Sequence, residues 1–382
     1  MRLAFVFLLI TVTLDAMGIG LIMPIMPSLI REIQGGDLAD AALWGGVMST
    51  AFAVMQFLFS PLLGNLSDRY GRRPVLLVSL VTMSAVYMVM AIAGSLWMLL
   101  IGQIVSGIAS ATHATAAACM SDQSKPEEKA ANFGLLGAGF GAGFVLGPLV
   151  GGLLGELGTR APFYAAAALL AANAVFGLLV IRETLPKDKR RPFRWGRANP
   201  LGAFYNVTRM PGIGRLLLVY FIYSVALYVY PAIWSYFTEA RFDWTPQTIG
   251  LSLGLFGISM ALVQGVLIRV VLRRVGERRT VVFGKLFDAV AFALMSFVTS
   301  GVAALILTPI AALGAVVSPA LQGIMARQVS DDAQGELQGV FTSVHALSMI
   351  VSPLLMASVF SAPRARTRRS TCPARRSWCR CC

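Results

Sequence analysis

Two carboxylates stand inside stretches apolar enough to cross a bilayer: Asp15, in Leu14-Asp15-Ala16-Met17-Gly18, and Asp288, in Lys285-Leu286-Phe287-Asp288. An acid at that depth costs about 2.5–3.5 kcal/mol on insertion scales, so it must face an aqueous cavity or a partner. Such a group can take up and release a proton, and Asp15 reads either as a proton carrier or as a structural hydrogen-bond partner. Asp288 follows Lys285 by three residues on the same helical face, which fits a structural ion pair as well as a coupling site. Gln56 and Gln264 are lone amides in apolar runs; each can line a cavity or satisfy a neighbouring helix. His113 and His345 are isolated and read as packed helix residues rather than metal ligands. Paired catalytic carboxylates, a nucleophile–base constellation and a phosphate-binding loop are all missing from the sequence, which argues against an enzyme.

Two further stretches combine unusual residue types with tight spacing. Gly64-Asn-Leu-Ser-Asp68-Arg69-Tyr-Gly71-Arg72-Arg73-Pro74 is a short basic connection between two apolar segments. Its arginines mark a cytoplasmic loop, its glycines permit a tight reversal, and Asp68 can pair with a helix end or a nearby Arg. Gly143-Phe-Val-Leu-Gly147-Pro148-Leu-Val-Gly151-Gly152 places small residues four apart, so that two helices can approach closely, and Pro148 bends the segment.

The elements that must position these residues follow from composition. The chain has 382 residues, 57% hydrophobic and 13% charged, against about 25% charged in soluble domains. Lipid must be its solvent. A membrane helix needs about 20 apolar residues, and eleven stretches qualify: 3–27, 42–63, 75–93, 96–119, 132–155, 162–181, 213–235, 247–271, 281–299, 302–325 and 338–360. The first is too long for a signal-peptide core and has no small-residue cleavage site. Gly64–Pro74, Arg182–Arg215 and Leu272–Thr280 are basic. Ser28–Ala41 and Tyr236–Pro246, on the other side, are poor in Arg and Lys. The positive-inside rule then places the N-terminus and the basic loops in the cytoplasm. Residues 182–212 form a basic linker between an N-terminal bundle of six helices (1–181) and a C-terminal one of five (213–360). Arg69-Tyr-Gly71-Arg-Arg73 recurs as Arg274-Val-Gly276-Glu-Arg278, a weak internal repeat.

The net charge of +14 points to no nucleic-acid partner, because seven arginines sit beyond Pro363 in a tail without an acid. Residues 361–382 also hold Cys372, Cys379, Cys381 and Cys382, without zinc-type spacing. Reading one nucleotide earlier turns each Cys codon into one for Leu, Met or Val. Over Ser370–Cys382 one permitted codon choice gives V-Y-L-P-G-A-P-F-L-V-S-M-L, the start of an apolar helix. The tail is therefore expected to be the product of a frameshift near Ser361–Arg369; the alternative is a genuine basic, Cys-rich tail.

Gly64–Pro74 resembles the loop signature of the major facilitator superfamily of transporters, and Gly143–Gly152 that of its drug/proton antiporters. Leu14–Pro27, Gly64–Leu80 and Pro319-Ala-Leu-Gln322-Gly323 are similar to the tetracycline-efflux branch, through about residue 360. The resemblance implies an all-α membrane protein of two pseudo-symmetric six-helix bundles, with the twelfth helix missing. It implies proton-coupled efflux of a tetracycline–divalent metal chelate by alternating access across the bacterial inner membrane. The partners would be a small-molecule drug and the lipid bilayer, with no tightly bound cofactor and the proton as coupling ion. Asp15 would carry proton or substrate charge, Asp68 with Arg69, Arg72 and Arg73 would latch a cytoplasmic gate, and Asp288 would assist coupling. The chain departs from that pattern where members carry an acid (near Val86), an arginine (Gln103) and a histidine (Met260). A superfamily exporter of another amphipathic compound, or a truncated chain that transports nothing, are the rival readings.

Overall fold

The computed structural model describes residues 2–110, 112–124, 129–186, 188, 190, 213–328 and 334–361. Most of the basic linker and the tail after Ser361 lie outside the described residues, as does the side chain of His113. Among the described residues, eleven helical stretches are long and apolar enough to cross a membrane. In chain order the spans are Leu3–Ile22, Leu38–Tyr70, Arg72–Ala91, Leu96–Gln123, Asn132–Gly155, Ala161–Val180, Ile213–Phe242, Pro246–Val275, Glu277–Phe297, Gly301–Ala326 and Gly339–Phe360.

Several boundaries differ from the sequence expectation; the seventh span, for one, is helical to Phe242, through most of the expected connection at Tyr236–Pro246. The first helix stops at Ile22, and after a turn a separate helix runs from Met26 to Gln34. Pro24 and Pro27 explain the break, since neither can donate to the helical ladder. The expected loop at Gly64–Pro74 is almost entirely helical: the second span continues to Tyr70 and the third begins at Arg72. Gly71 alone makes the reversal, at φ 108° and ψ 158°. Gly276 does the same between the eighth and ninth spans, at φ 81° and ψ 158°. A side chain is strained at such angles, so the internal repeat is a repeat of backbone geometry fixed by glycine.

Both turns lie at one end of the bundle, hereafter the basic end. Helices one to six form a half with its own core, including Phe7, Leu76, Leu80, Met83, Phe163 and Leu170. The later spans form a second half around clusters such as Leu217, Tyr220, Leu321 and Phe341.

The halves meet only through part of their length. Gly46 of the second span lies against Pro353 and Ala357 of the eleventh, and Thr50 Oγ1 donates to the Ile350 carbonyl at 3.3 Å. Gly152 of the fifth span abuts Pro246 and Gly250 of the eighth, and Gly254 and Gly257 receive Leu149 and Val145. Ser235 Oγ donates to the Met23 carbonyl at 2.8 Å, and Arg31 pairs with Glu239 at 2.5 Å. Each contact lies toward the end opposite the basic turns. Toward the basic end the same four helices carry Gly64, Gly141, Gly265 and Gly339, and a Cβ added at any of them would meet nothing within 4 Å. Gly64 is eighteen residues from Gly46, five whole turns, and Gly141 eleven from Gly152, about three turns, so both continue the contacting faces. A gap therefore opens between the halves toward the basic end.

Candidate functional site

Asp15 is 6% exposed in the first span, and no described cation pairs with it. The fifth span holds that helix at backbone distance. Gly139 and Gly143 sit on Thr13, Gly147 on Met17 and Gly20, and Gly151 on Leu21. This spacing of four puts one glycine per turn on the face toward Asp15's helix, where a Cβ at Gly143, Gly147 or Gly151 would strike a carbonyl or Cα. Pro148 packs against Gly20, and its carbonyl approaches Gly250 of the eighth span. The Gly143–Gly152 motif thus joins the acid-bearing helix to the junction between halves. On its other sides the first span meets the third and sixth. The Tyr87 hydroxyl approaches Gly18, one turn from Asp15, and Asn173 Nδ2 donates to Thr11 Oγ1 at 2.9 Å.

At the basic turn the motif residues form an ion network. Arg72 Nη1 reaches Asp68 Oδ1 and Ser67 Oγ at 2.6 Å each, and Arg72 Nε reaches Asp122 Oδ2 at 3.3 Å. The expectation that Asp68 finds a nearby Arg holds, with Arg72 one turn on. Arg73 Nη2 donates to the Leu178 carbonyl at 2.8 Å. Arg69 lies over the Tyr70 ring at 5.1 Å. Glu183, which the sequence did not single out, accepts the Arg72 and Arg73 backbone N–H groups at 2.8 and 3.3 Å. The pseudo-equivalent turn carries the opposite polarity: Glu277, following Gly276, pairs with Arg327 from the end of the tenth span.

Asp288 packs against Gly314, where the tenth span tightens into a 3₁₀ stretch over Ala312–Val316. Lys285 and Asp288 form no ion pair, although both are described. Gln56 is half-buried, eleven residues from Gly45, which faces the Tyr236 hydroxyl of the seventh span, and on the same helical face. Gln264 is exposed within a π-helical segment, Val263–Leu267, seven residues from Gly257. Both amides therefore continue contacting faces into the gap. Of the departures, Val86 is buried in the N-terminal core and Met260 packs on the cluster around Val263 and Val316. Ser84 Oγ donates to the Ala167 carbonyl at 2.8 Å, joining the third and sixth spans.

A family model described as the Major Facilitator Superfamily matches residues 8–353. The chain belongs to that superfamily. Among its curated relatives is the class C tetracycline resistance protein of Escherichia coli, 42% identical over 94% of this chain and 90% of that protein. The class G tetracycline resistance protein of Vibrio anguillarum is 40% identical over 95% of this chain and 91% of its own length. Among solved structures, a bacterial homologue of the human lysosomal transporter Spinster, inward-facing and unoccupied, superposes with a TM-score of 0.75. It shares 18% identity over 92% of this chain and 80% of that one, a likeness of fold. The major facilitator chain is therefore a multi-pass membrane transporter of the drug-efflux kind and not an enzyme, as its motifs led one to expect.

Proposed function

We propose that the protein exports tetracycline-type antibiotics from the cytoplasm, as the divalent-metal chelate, in exchange for protons across the bacterial inner membrane. Its N-terminus and the Gly71 and Gly276 turns face the cytoplasm, by the positive-inside rule. The observation that carries this reading is the junction between halves: closed near Gly46–Ala357 and Gly152–Gly250, open at Gly64 and Gly339. Two bundles that touch at one end and part at the other are arranged to rock about a central site. Asp15 lies on the helix that the glycine seam ties to this junction. Protonation would remove its charge and with it the demand for water or a counter-ion, biasing one of the two states. The names of the class C and class G relatives support tetracycline as substrate.

The test is substrate-driven proton movement in everted membrane vesicles. Asp15→Asn is expected to abolish it while leaving the protein inserted; undiminished exchange overturns the role of Asp15. Val86, Gln103 and Met260, standing where the resemblance places charged or ionisable side chains, favour a second reading with a different amphipathic drug. A resistance panel across several drug classes separates the two.

A further inference from the structure

The short helix Met26–Gln34, between the first two spans, is tied by charge to both halves of the molecule. Pro24 and Pro27 set it off from the first span, and Gly35, at φ 67°, closes it by donating its N–H to the Arg31 carbonyl. Its apolar face, Met26, Leu29 and Ile30, is buried in the N-terminal core. Arg31 and Glu32 are consecutive, so about 100° of helix separates them and they reach different neighbours. Glu32 stays within the N-terminal half: it accepts from Thr159 Oγ1 and pairs with Arg160 Nη2 at 3.4 Å, in the connection between the fifth and sixth spans. Arg160 Nη1 in turn donates to the Ala91 and Ala93 carbonyls, at 2.9 Å each, at the end of the third span. Arg31 crosses instead to Glu239 of the seventh span at 2.5 Å, and among the described residues no other ion pair joins the two halves. One turn before Glu239, Ser235 Oγ donates to the Met23 carbonyl at 2.8 Å. In an unbroken helix that carbonyl would receive the N–H of residue 27, but Pro27 has none, so the break supplies the acceptor that the seventh span uses.

We propose that Met26–Gln34 is an outer gate carried by the N-terminal half, and that Arg31 and Glu239, backed by Ser235 on the Met23 carbonyl, form the catch that holds it shut. When the halves rock apart at this end, every partner of Glu32 moves with the short helix, whereas the partner of Arg31 moves away from it. Outward opening therefore breaks Arg31–Glu239 and leaves Glu32–Arg160 whole. The Glu239 side chain is 16% exposed and that of Arg31 47%, so the catch lies where water can take over both charges once it parts. The inference rests on the efflux reading for the rocking of the halves and for which end faces outward, but not for the existence of the catch.

The experiment uses the full chain with its five cysteines replaced by serine and Thr50→Cys as reporter. Thr50 is 9% exposed and donates across the junction to Ile350, so a reagent outside the cell reaches a thiol there only when this end opens. Intact cells are treated with a membrane-impermeant maleimide, and the rate of labelling is read by mass shift. Arg31→Gln and Glu239→Gln should each label about three- to five-fold faster, the population shift that an ion pair of this exposure supports. The exchange Arg31→Glu with Glu239→Arg should return the rate to that of the parent. Glu32→Gln, one residue along the same helix, should label at the parent rate, whereas a helix that only braced the outer end would loosen with either change. Unchanged rates in Arg31→Gln and Glu239→Gln, equal acceleration in Glu32→Gln, or an exchange that labels as fast as the single variants overturns the catch. Faster labelling without drug export keeps the catch and sinks the efflux reading. Faster labelling in everted vesicles instead of cells keeps the catch and reverses the orientation, and export with unmoved labelling removes the catch alone.

Discussion

Glu183, three residues past the sixth span, caps the third: its Oε1 accepts the Arg72 N–H at 2.8 Å and its Oε2 the Arg73 N–H at 3.3 Å. A helix start leaves its first N–H groups without partners and carries partial positive charge, so a carboxylate there satisfies both. Glu183→Ala should cost about 1 kcal/mol, the usual worth of such a cap. The check is thermal unfolding of the purified protein, where a variant as stable as the parent would remove Glu183 from the account. Arg72→Lys keeps the charge but loses the fork that reaches Asp68, Ser67 and Asp122 together, so it should cost a comparable amount.

The seam between the first and fifth spans makes a second prediction. Gly147→Val would push a side chain into the Met17 carbonyl and the Gly20 backbone, atoms that cannot move aside alone. Overpacking of this kind costs about 1–3 kcal/mol. The amount of folded protein in the membrane, read by fluorescence size exclusion, should fall clearly. Gly141→Val, in the same helix but facing open space, should leave it unchanged.

Gly141→Val is informative for transport as well. If the basic ends close in the other state, a bulky residue at Gly64, Gly141 or Gly339 would block that closure without harming the state described. Export should drop at least ten-fold while abundance holds. Full transport by Gly64→Leu together with Gly141→Val would mean that these faces never meet.

The ninth span differs from its counterpart in what covers it. In the N-terminal half, Leu77 and Ser84 of the third span are covered by Gly177 and Ala167 of the sixth. Val282, Phe283 and Leu286 of the ninth are 64, 61 and 61% exposed. The frameshift proposed for the tail predicts that restoring the frame adds an apolar helix that covers them. The gene should then show a single-nucleotide lesion between the codons of Ser361 and Arg369, and the restored chain should confer more drug resistance than this one. Resequencing that shows no single insertion or deletion able to restore an apolar segment ends the idea.

The spans were legible because lipid leaves a backbone few options: about 20 apolar residues must form a helix wherever they fall. The basic connection was legible in its location but not in its form. Gly64–Tyr70 is polar enough to read as loop, yet one glycine with positive φ suffices to reverse the chain, so the helix runs on to Tyr70. Asp15 stood out because a lone acid in an apolar run is costly. Glu183 did not, since an acid just past a span looks ordinary until it caps a helix 111 positions earlier. The Tyr228–His345 hydrogen bond was hidden for the same reason: its partners are 117 residues apart, and His345 alone read as an isolated, packed helix residue. Asp288 shows the converse failure, for the adjacent Lys285 suggested a pair and the folded helices do not make it.

With no room for even a methyl group between Gly143 or Gly147 and the backbone opposite, the first and fifth helices pack as a single unit. That unit rests on the eighth helix through Val145 and Leu149, against Gly257 and Gly254. Were Asp15 to take up the coupling proton as proposed, a tilt of its helix would pass through this seam to the eighth helix.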